Sequence, residues 1–233
     1  MNLLPPYAVR WYPPGSHLPE VQASYKTTYP VPLIDGSVLE LPLRPLPGGK
    51  QAIALLMSNQ TPFAVEGALV PLMTRLAQSF GPEAIAAVPT MGLDYARLVA
   101  RGLGHQHYVA LGLSRKFWYD DELSERVVSS TSPEHAKSIY LDPALLSRVA
   151  GQRVVLIDDV INTGVSAVAA VRLLMRAGAE VVGMVVTLSE GHAWREALSV
   201  FGPDWADRVK AVGHIPLFDR GDDGRWVPAS STM

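Results

Sequence analysis

Residues 154–166 read Val154-Val-Leu-Ile-Asp158-Asp159-Val-Ile-Asn162-Thr163-Gly164-Val165-Ser166. Four apolar residues run into two adjacent carboxylates, then into an Asn-Thr-Gly turn, then into a helical pattern that begins near Val165. A parallel strand covered on both faces is written as an unbroken, β-branched-rich apolar run. The spacing therefore predicts a buried parallel strand with Asp158 and Asp159 where it leaves the sheet, at the carboxyl end where open α/β sheets bind ligands. The turn behind them opens a helix, whose free N–H groups and positive dipole end form an anion site. Carboxylates to hold hydroxyls or a metal, beside an amide cradle, suit a sugar phosphate. A solvated strand end with an ordinary turn carries similar residues, but the order strand, acids, turn, helix argues for the ligand site. Other phosphate motifs fit worse. No Gly-Lys-Ser/Thr tripeptide occurs for a Walker A loop, and Gly102-Leu-Gly104 lacks the third glycine of a dinucleotide fingerprint.

Downstream of this segment, Val165 to Ala177 is amphipathic, with Val168, Val171, Leu174 and Met175 on one face and Gly178 as a left-handed cap. Val181 to Leu188 reads as a second buried strand. Ala193 to Phe201 and Asp204 to Ala211 are less regular, with Trp205 and Val209 marking a short helix in the latter. Val212 to Leu217 reads as an edge strand, where Pro216 is tolerated. The tail from Asp219 to Met233 is polar and expected to fray, with Trp226 as its one anchor.

Upstream, Ala84 to Val88 reads as a strand, Pro89-Thr90-Met91-Gly92 as a turn, Leu93 to Leu103 as a helix and Tyr108 to Leu111 as a strand. That order builds a sheet in parallel. Pro62 to Phe80 shows helical spacing at Phe63, Leu69, Leu72, Met73, Leu76 and Phe80, and Gln51 to Met57 suits a short strand. From Leu113 to about Pro143 the pattern breaks: Ser114-Arg115-Lys116 and Asp120-Asp121-Glu122 are charged, and residues 127–135 are mostly Ser, Thr and Pro. Such an insert in a compact domain is usually functional or disordered. A lid is the preferred reading, with Ser132-Pro133-Glu134 a rival start for a short helix. Residues 1–50 are rich in proline and carry Tyr7, Trp11, Tyr12, Tyr25 and Tyr29, which excludes regular helix. This many aromatics predicts an arm packed on its own domain or on a partner subunit.

The 233 residues suit one sizeable domain with additions, and 48% apolar against 18% charged residues permits a large core. A net charge of −2 gives no electrostatic case for nucleic-acid binding. The absence of cysteine excludes disulfides, thiolate metal sites and a cysteine nucleophile, and is compatible with a reducing cytoplasm. The N-terminus lacks a signal-peptide pattern, and no apolar run approaches the roughly 20 residues of a membrane span. A soluble cytoplasmic protein is expected, with no membrane and no nucleic acid among its partners.

The segment from Val154 to Gly164 closely resembles the phosphoribosyl-pyrophosphate (PRPP) signature of the type I phosphoribosyltransferases, and the layout is closest to the purine enzymes of adenine and xanthine type. The resemblance covers about Ala52 to Leu217. It implies an open parallel α/β sheet with helices on both faces, plus a small hood from the N-terminal segment and C-terminal pieces. The expected division is an arm and hood at 1–50, the α/β domain at 51–218 with a lid at 113–143, and a tail at 219–233. By the resemblance, Asp158 and Asp159 contact the ribose hydroxyls, while Asn162, Thr163, Gly164, Val165 and Ser166 wrap the 5′-phosphate. Val165-Ser166 stands where the family usually has Gly-Thr, so Ser166 keeps a hydroxyl and Val165 only its N–H. Thr90, Met91 and Gly92 match the pyrophosphate loop by position, though an ordinary strand-to-helix turn reads the same way. Arg115 and Lys116 match a pair that leads into the lid, with Lys116 near pyrophosphate and catalytic; in isolation they read as a solvated pair. Ser58-Asn59-Gln60 resembles the position where xanthine enzymes place base-contacting residues, with Asn59 and Gln60 the candidates. Glu190 stands near where xanthine enzymes carry a lysine, which puts xanthine specificity in doubt.

PRPP chemistry implies Mg2+, most of whose ligands would come from the substrate, with no dedicated protein metal cage. His105-Gln-His107 lacks a third ligand nearby and reads as incidental. The function implied is a transferase that joins a nucleobase, a purine, to the ribose 5-phosphate of PRPP, with a homodimer as the usual assembly. The alternative is a non-catalytic PRPP- or nucleotide-sensing regulator on the same fold.

Overall fold

The computed structural model describes residues 6–16, 22–127 and 137–233. In chain order the elements are β1 (Arg10–Tyr12), β2 (Thr28–Pro32), β3 (Val38–Pro45), β4 (Gln51–Ala54), α1 (Phe63–Gln78), β5 (Ala84–Ala87), α2 (Gly92–Gly102) and β6 (Val109–Ala110). There follow β7 (Ser124–Val127), β8 (Lys137–Tyr140), β9 (Arg153–Ile161), α3 (Val165–Arg176), β10 (Glu180–Glu190), α4 (Ala193–Leu198), β11 (Val209–Ile215), β12 (Phe218–Arg220) and β13 (Trp226–Pro228).

The central sheet has the order β11-β10-β9-β5-β6, and every pairing in it is parallel. Side chains alternate across a strand, so β9 feeds two cores. Val155 and Ile157 join Leu69, Leu72, Met73, Tyr95 and Val99 of α1 and α2. Val154 and Leu156 join Ala170, Val171 and Leu174 of α3 and Leu198 of α4. All four β9 residues are completely buried, each contributing about 1.5–3 kcal/mol relative to exposure. Helices on both faces thus follow from a strand with no polar alternation. On α3 the expected apolar face is only partly correct: Val171 and Leu174 are buried, but Met175 is 52% exposed. Ala167, Ala169 and Ala170 complete the buried surface instead, because small residues let this helix lie close to the sheet.

The hood is a second, antiparallel sheet ordered β1-β3-β4-β12-β13, with β2 also paired to β3. The proline-rich segment is extended as expected, and it packs on its own domain: Leu33 bridges Gly213, and Ile34 N donates to Val212 O at 3.0 Å. The tail from Asp219 is not frayed. β12 pairs with β13 on one side and with β4 on the other. Phe218 packs edge-on against Tyr25 and Tyr29, Trp226 is 6% exposed, and the Arg220 guanidinium lies over the Trp226 ring. Two buried aromatics therefore pin a stretch whose other residues are mostly polar.

Two further expectations change. The strand expected from Val212 starts at Val209 and ends at Ile215, preceded by a 3-10 turn at Trp205–Arg208 where a short helix was expected. In the described part of the 113–143 insert, β7 and β8 form an antiparallel pair. Arg176 at the end of α3 ties β7 down, donating to Ser124 O at 2.6 Å and to Glu122 O at 3.3 Å, and pairing with Glu125. Residues 128–136, with the suggested helix start at Ser132-Pro133-Glu134, lie outside the described residues. No helix among the described residues is long and apolar enough to cross a membrane.

Candidate functional site

The acidic pair does not sit at the strand's exit. β9 runs on through both carboxylates to Ile161, because β10 keeps pairing with it: Val186 faces Asp158, Leu188 faces Val160 and Ser189 faces Ile161. On the other side β5 stops at the level of Ile157. Asp158 and Asp159 thus lie beyond the end of β5, with a strand on one side and α2's approach on the other. Asp158 is buried, and its Oδ1 accepts from the Asp159 N–H at 2.9 Å. Burial, then the neighbouring Asp159 charge, pushes the Asp158 carboxyl well above the usual carboxylate range. Burial also raises Asp159, with Asp94 adding to the rise. Two such carboxyls titrate as a pair, and a ligand offering hydroxyl donors or positive charge would favour their ionised forms.

Behind the pair the chain turns through Gly164, which caps α3 at φ +79°. A side chain there would meet Ala197 and Trp194 of α4 at 3.0–3.2 Å, so glycine is required by both conformation and space. The Gly164 carbonyl accepts from Val168 N at 2.8 Å. The N–H groups of Val165, Ser166 and Ala167 have no partner within the helix, as in any first turn. Asp158 and residues 160–167 line a cavity of about 140 Å3, the room of roughly four or five water molecules. Asn162, Thr163 and Ser166 are exposed at this cradle, while Val165 is half-buried. The arrangement can hold a tetrahedral anion within reach of two carboxyls.

The 89–92 loop is brought to the same place. Gly92 opens α2, and a Cβ on it would lie 2.8 Å from Ile157 O and 2.9 Å from Asp158 Cα. The Pro89–Thr90 peptide is cis; Thr90 is exposed and Met91 half-buried. Ser58 ties a third segment in, donating to Met91 O at 2.7 Å, with its Oγ 3.2 Å from Asp94 Oδ2. Asn59 and Gln60 are exposed beside it, so the residue of that turn bonded to the site's frame is Ser58. Asp94 and Tyr95 are absent from the sequence-based set, and Ser58 enters it only as the first residue of the Ser58-Asn59-Gln60 turn. An acid in α2's first turn was the one local signal available for them. The Tyr95 hydroxyl is buried without a partner among the described residues, and burial, with Asp159's charge second, raises its pKa.

Arg115 and Lys116 follow β6 and are exposed. Arg115 is engaged with Asp121, at 2.7 Å from Nε to Oδ1 and 3.2 Å from Nη2 to Oδ2. No hydrogen bond or ion pair among the described residues joins either basic residue to Asp158, Asp159 or the 89–92 loop. His105 and His107 sit where the chain enters β6, at the opposite end of the sheet, and with Glu83 they line a separate cavity of about 280 Å3. Glu190 ends β10, one position beyond the Ser189–Ile161 pairing. It is 4% exposed, and burial pushes its carboxyl up to about 7. Among the described residues no group of three or more His, Asp or Glu could hold a metal by itself. The oxygen donors of the acidic pair suit a hard cation that brings ligands of its own.

Residues 72–214 match the family model described as phosphoribosyl transferase domain. An adenine phosphoribosyltransferase of Clavibacter sepedonicus is 34% identical over 160 residues, covering 67% of this chain and 76% of that protein. An orotate phosphoribosyltransferase of Staphylococcus aureus is 30% identical over 129 residues, covering 54% of this chain and 53% of that protein. The chain thus spans about half the length of the orotate relatives it matches. Among solved structures, adenine phosphoribosyltransferase from Rhodothermus marinus is similar in fold, with TM-score 0.54, 21% identity, and coverage of 70% of this chain and 94% of that one. Orotate phosphoribosyltransferase from Aeropyrum pernix gives TM-score 0.51 at 19% identity, with coverage of 74% and 85%.

Proposed function

The chain belongs to the phosphoribosyltransferase family, and from that premise we propose that it transfers ribose 5-phosphate from PRPP to a purine base, releasing pyrophosphate. The observation that carries the reading is the buried acidic pair at the ligand end of the sheet, set beside the Gly164 cradle and the Gly92 loop.

In this reading the ribose hydroxyls donate to Asp158 and Asp159. The 5′-phosphate sits on the amides of residues 162–166, with the hydroxyls of Thr163 and Ser166 donating to it. Positive charge grows on the sugar as the bond at C1′ breaks, and ionised carboxylates fixed beside the ribose stabilise it. The amides of Thr90, Met91 and Gly92 face departing pyrophosphate, and Lys116 meets its charge late. Bound Mg2+ would neutralise pyrophosphate charge, held by substrate oxygens and the acidic pair. The purine reading is preferred because the matched region spans 76% of the adenine relative but 53% of the orotate one. Exposed Phe63, Phe117 and Trp118 offer apolar surface for a homodimer, and the cytoplasm is the compartment proposed for a chain without cysteine.

The test is pyrophosphate release from PRPP and Mg2+ with adenine, hypoxanthine, guanine and orotate in turn. A purine is expected to give release. No release with any base, from folded protein that binds PRPP, overturns the proposal.

A further inference from the structure

The hydrogen bonds that hold the 89–92 loop run outward to the N-terminal arm, through a short turn that follows β4. β4 ends at Ala54, and Leu55 N still donates to Pro42 O at 2.9 Å. Met57 N has no backbone acceptor among the described residues, and donates instead to the Tyr7 phenol oxygen at 2.8 Å. The same hydroxyl lies 3.5 Å from both Met57 O and Thr61 Oγ1, and Thr61 Oγ1 donates to Met57 O at 2.7 Å. A phenol from position 7 thus closes both ends of the 57–61 turn. Tyr7 is itself held on either side. Arg44 Nη2 donates to Pro6 O at 3.5 Å, Val9 is buried in the core, and Arg10 opens β1 on β3. This arm lies outside the 72–214 region that the family model matches.

Inside the turn Ser58 is 5% exposed, donating to Met91 O at 2.7 Å with Asp94 Oδ2 3.2 Å from its Oγ. One hydroxyl proton serves two acceptors, so the one it favours depends on where the turn is held. The Met91–Gly92 peptide is trans. In a planar trans peptide the C=O and the N–H point in opposite directions, so fixing Met91 O also fixes the aim of the Gly92 N–H. That N–H stands in the first turn of α2, where it has no partner within the helix. We propose that Tyr7 and Ser58 are positioning residues for the pyrophosphate of PRPP. The phenol holds the turn, the turn holds the Met91 carbonyl, and the carbonyl keeps the Gly92 N–H aimed at the anion. The inference rests on the site assignment made above and deepens it. Neither side chain has to touch the substrate. With Met91 O released, the peptide can rotate and present a carbonyl oxygen to pyrophosphate, and an amide site attracts an anion only while its N–H groups converge.

The experiment is calorimetric titration of wild type, Tyr7→Phe, Ser58→Ala and the double variant with PRPP, inorganic pyrophosphate and AMP, each with Mg2+. AMP fills the ribose and 5′-phosphate positions and leaves the 89–92 loop empty, so it is the internal control. Tyr7→Phe is expected to weaken PRPP and pyrophosphate about tenfold, and Ser58→Ala at least as much, the scale of one hydrogen bond. AMP affinity is expected to stay at the wild-type value in all variants, and urea midpoints establish that each is folded. The double variant is expected to bind PRPP within about twofold of Ser58→Ala alone, because residues on one path are not additive. Unchanged PRPP affinity in Tyr7→Phe, equal weakening of AMP and PRPP, or additive losses in the double variant overturn the proposal. A wild type that binds PRPP but turns over no base removes the enzymatic reading alone, and the comparison of affinities still decides this one. A wild type that binds none of the three ligands overturns this proposal and the site assignment together.

Discussion

Gly92 lies against Asp158 so closely that a Cβ on the glycine would sit 3.0 Å from the Asp158 Oδ1 and 2.9 Å from its Cα. The start of α2 and the acidic strand are therefore a single packed unit, although Gly92 and Asp158 stand 66 positions apart in the chain. Any side chain at position 92 must push the 89–92 loop away from the acidic pair.

Gly92→Ala is accordingly expected to lose about 1–3 kcal/mol of stability through overpacking, and to weaken PRPP binding more than that loss alone would. Chemical denaturation measures the first effect and calorimetric titration with PRPP and Mg2+ the second. A variant with wild-type affinity would show that the loop and the acidic pair do not act together.

Asp158→Asn and Asp159→Asn should each weaken PRPP binding by about 10–100-fold, the scale of one or two hydrogen bonds to a charged group. The fold should survive. Asp158 is an acid whose folded pKa is raised, so the folded state holds its proton where the unfolded chain releases it. Stability falls as pH rises through that window, and Asp158→Asn is expected to equal or exceed wild type in thermal stability at pH 7.

Glu190 obeys the same sign. Its carboxyl titrates near 4.5 unfolded and about 7 folded, so stability should decline with rising pH between those values and level off above. Glu190→Gln should remove that slope, which amounts to about 3 kcal/mol at most. Urea denaturation of both proteins at pH 5, 6, 7 and 8 reads the difference.

Lys116 is exposed and bonded to nothing among the described residues through its side chain, so its removal should leave stability unchanged. An interaction made late with departing pyrophosphate affects turnover more than binding. Lys116→Ala is expected to slow turnover roughly 10–1000-fold, about 1.4–4 kcal/mol of barrier, with little change in nucleoside monophosphate affinity. Full activity would return the residue to the solvated surface.

Trp226→Ala should cost about 3–5 kcal/mol, as expected for a buried aromatic. Amide exchange should rise in β12, β13 and β4, which share the hood edge, before it rises in β9 and β10. Uniform loss across both sheets would mean that the hood and the central sheet unfold as one.

The central sheet and the turn that opens α3 were legible in the sequence because their determinants are local. Val154 to Ile157, the two carboxylates, Gly164 and the apolar positions of α3 follow one another within a few turns of chain, and each periodicity is long enough to read. The hood strands at the C-terminus were not legible, since β12 and β13 have three residues each, too short for alternation to show. Phe218 and Trp226 order them only because Tyr25, Tyr29 and Ala52 meet them from the far end of the chain. The same holds in the site. Which strand continues past Asp158, why position 92 must be glycine, how Ser58 reaches Met91, and that Glu190 is buried all depend on segments brought together by folding. Short-range pattern and turn chemistry are written in consecutive residues, whereas close approach and desolvation are properties of neighbours in space.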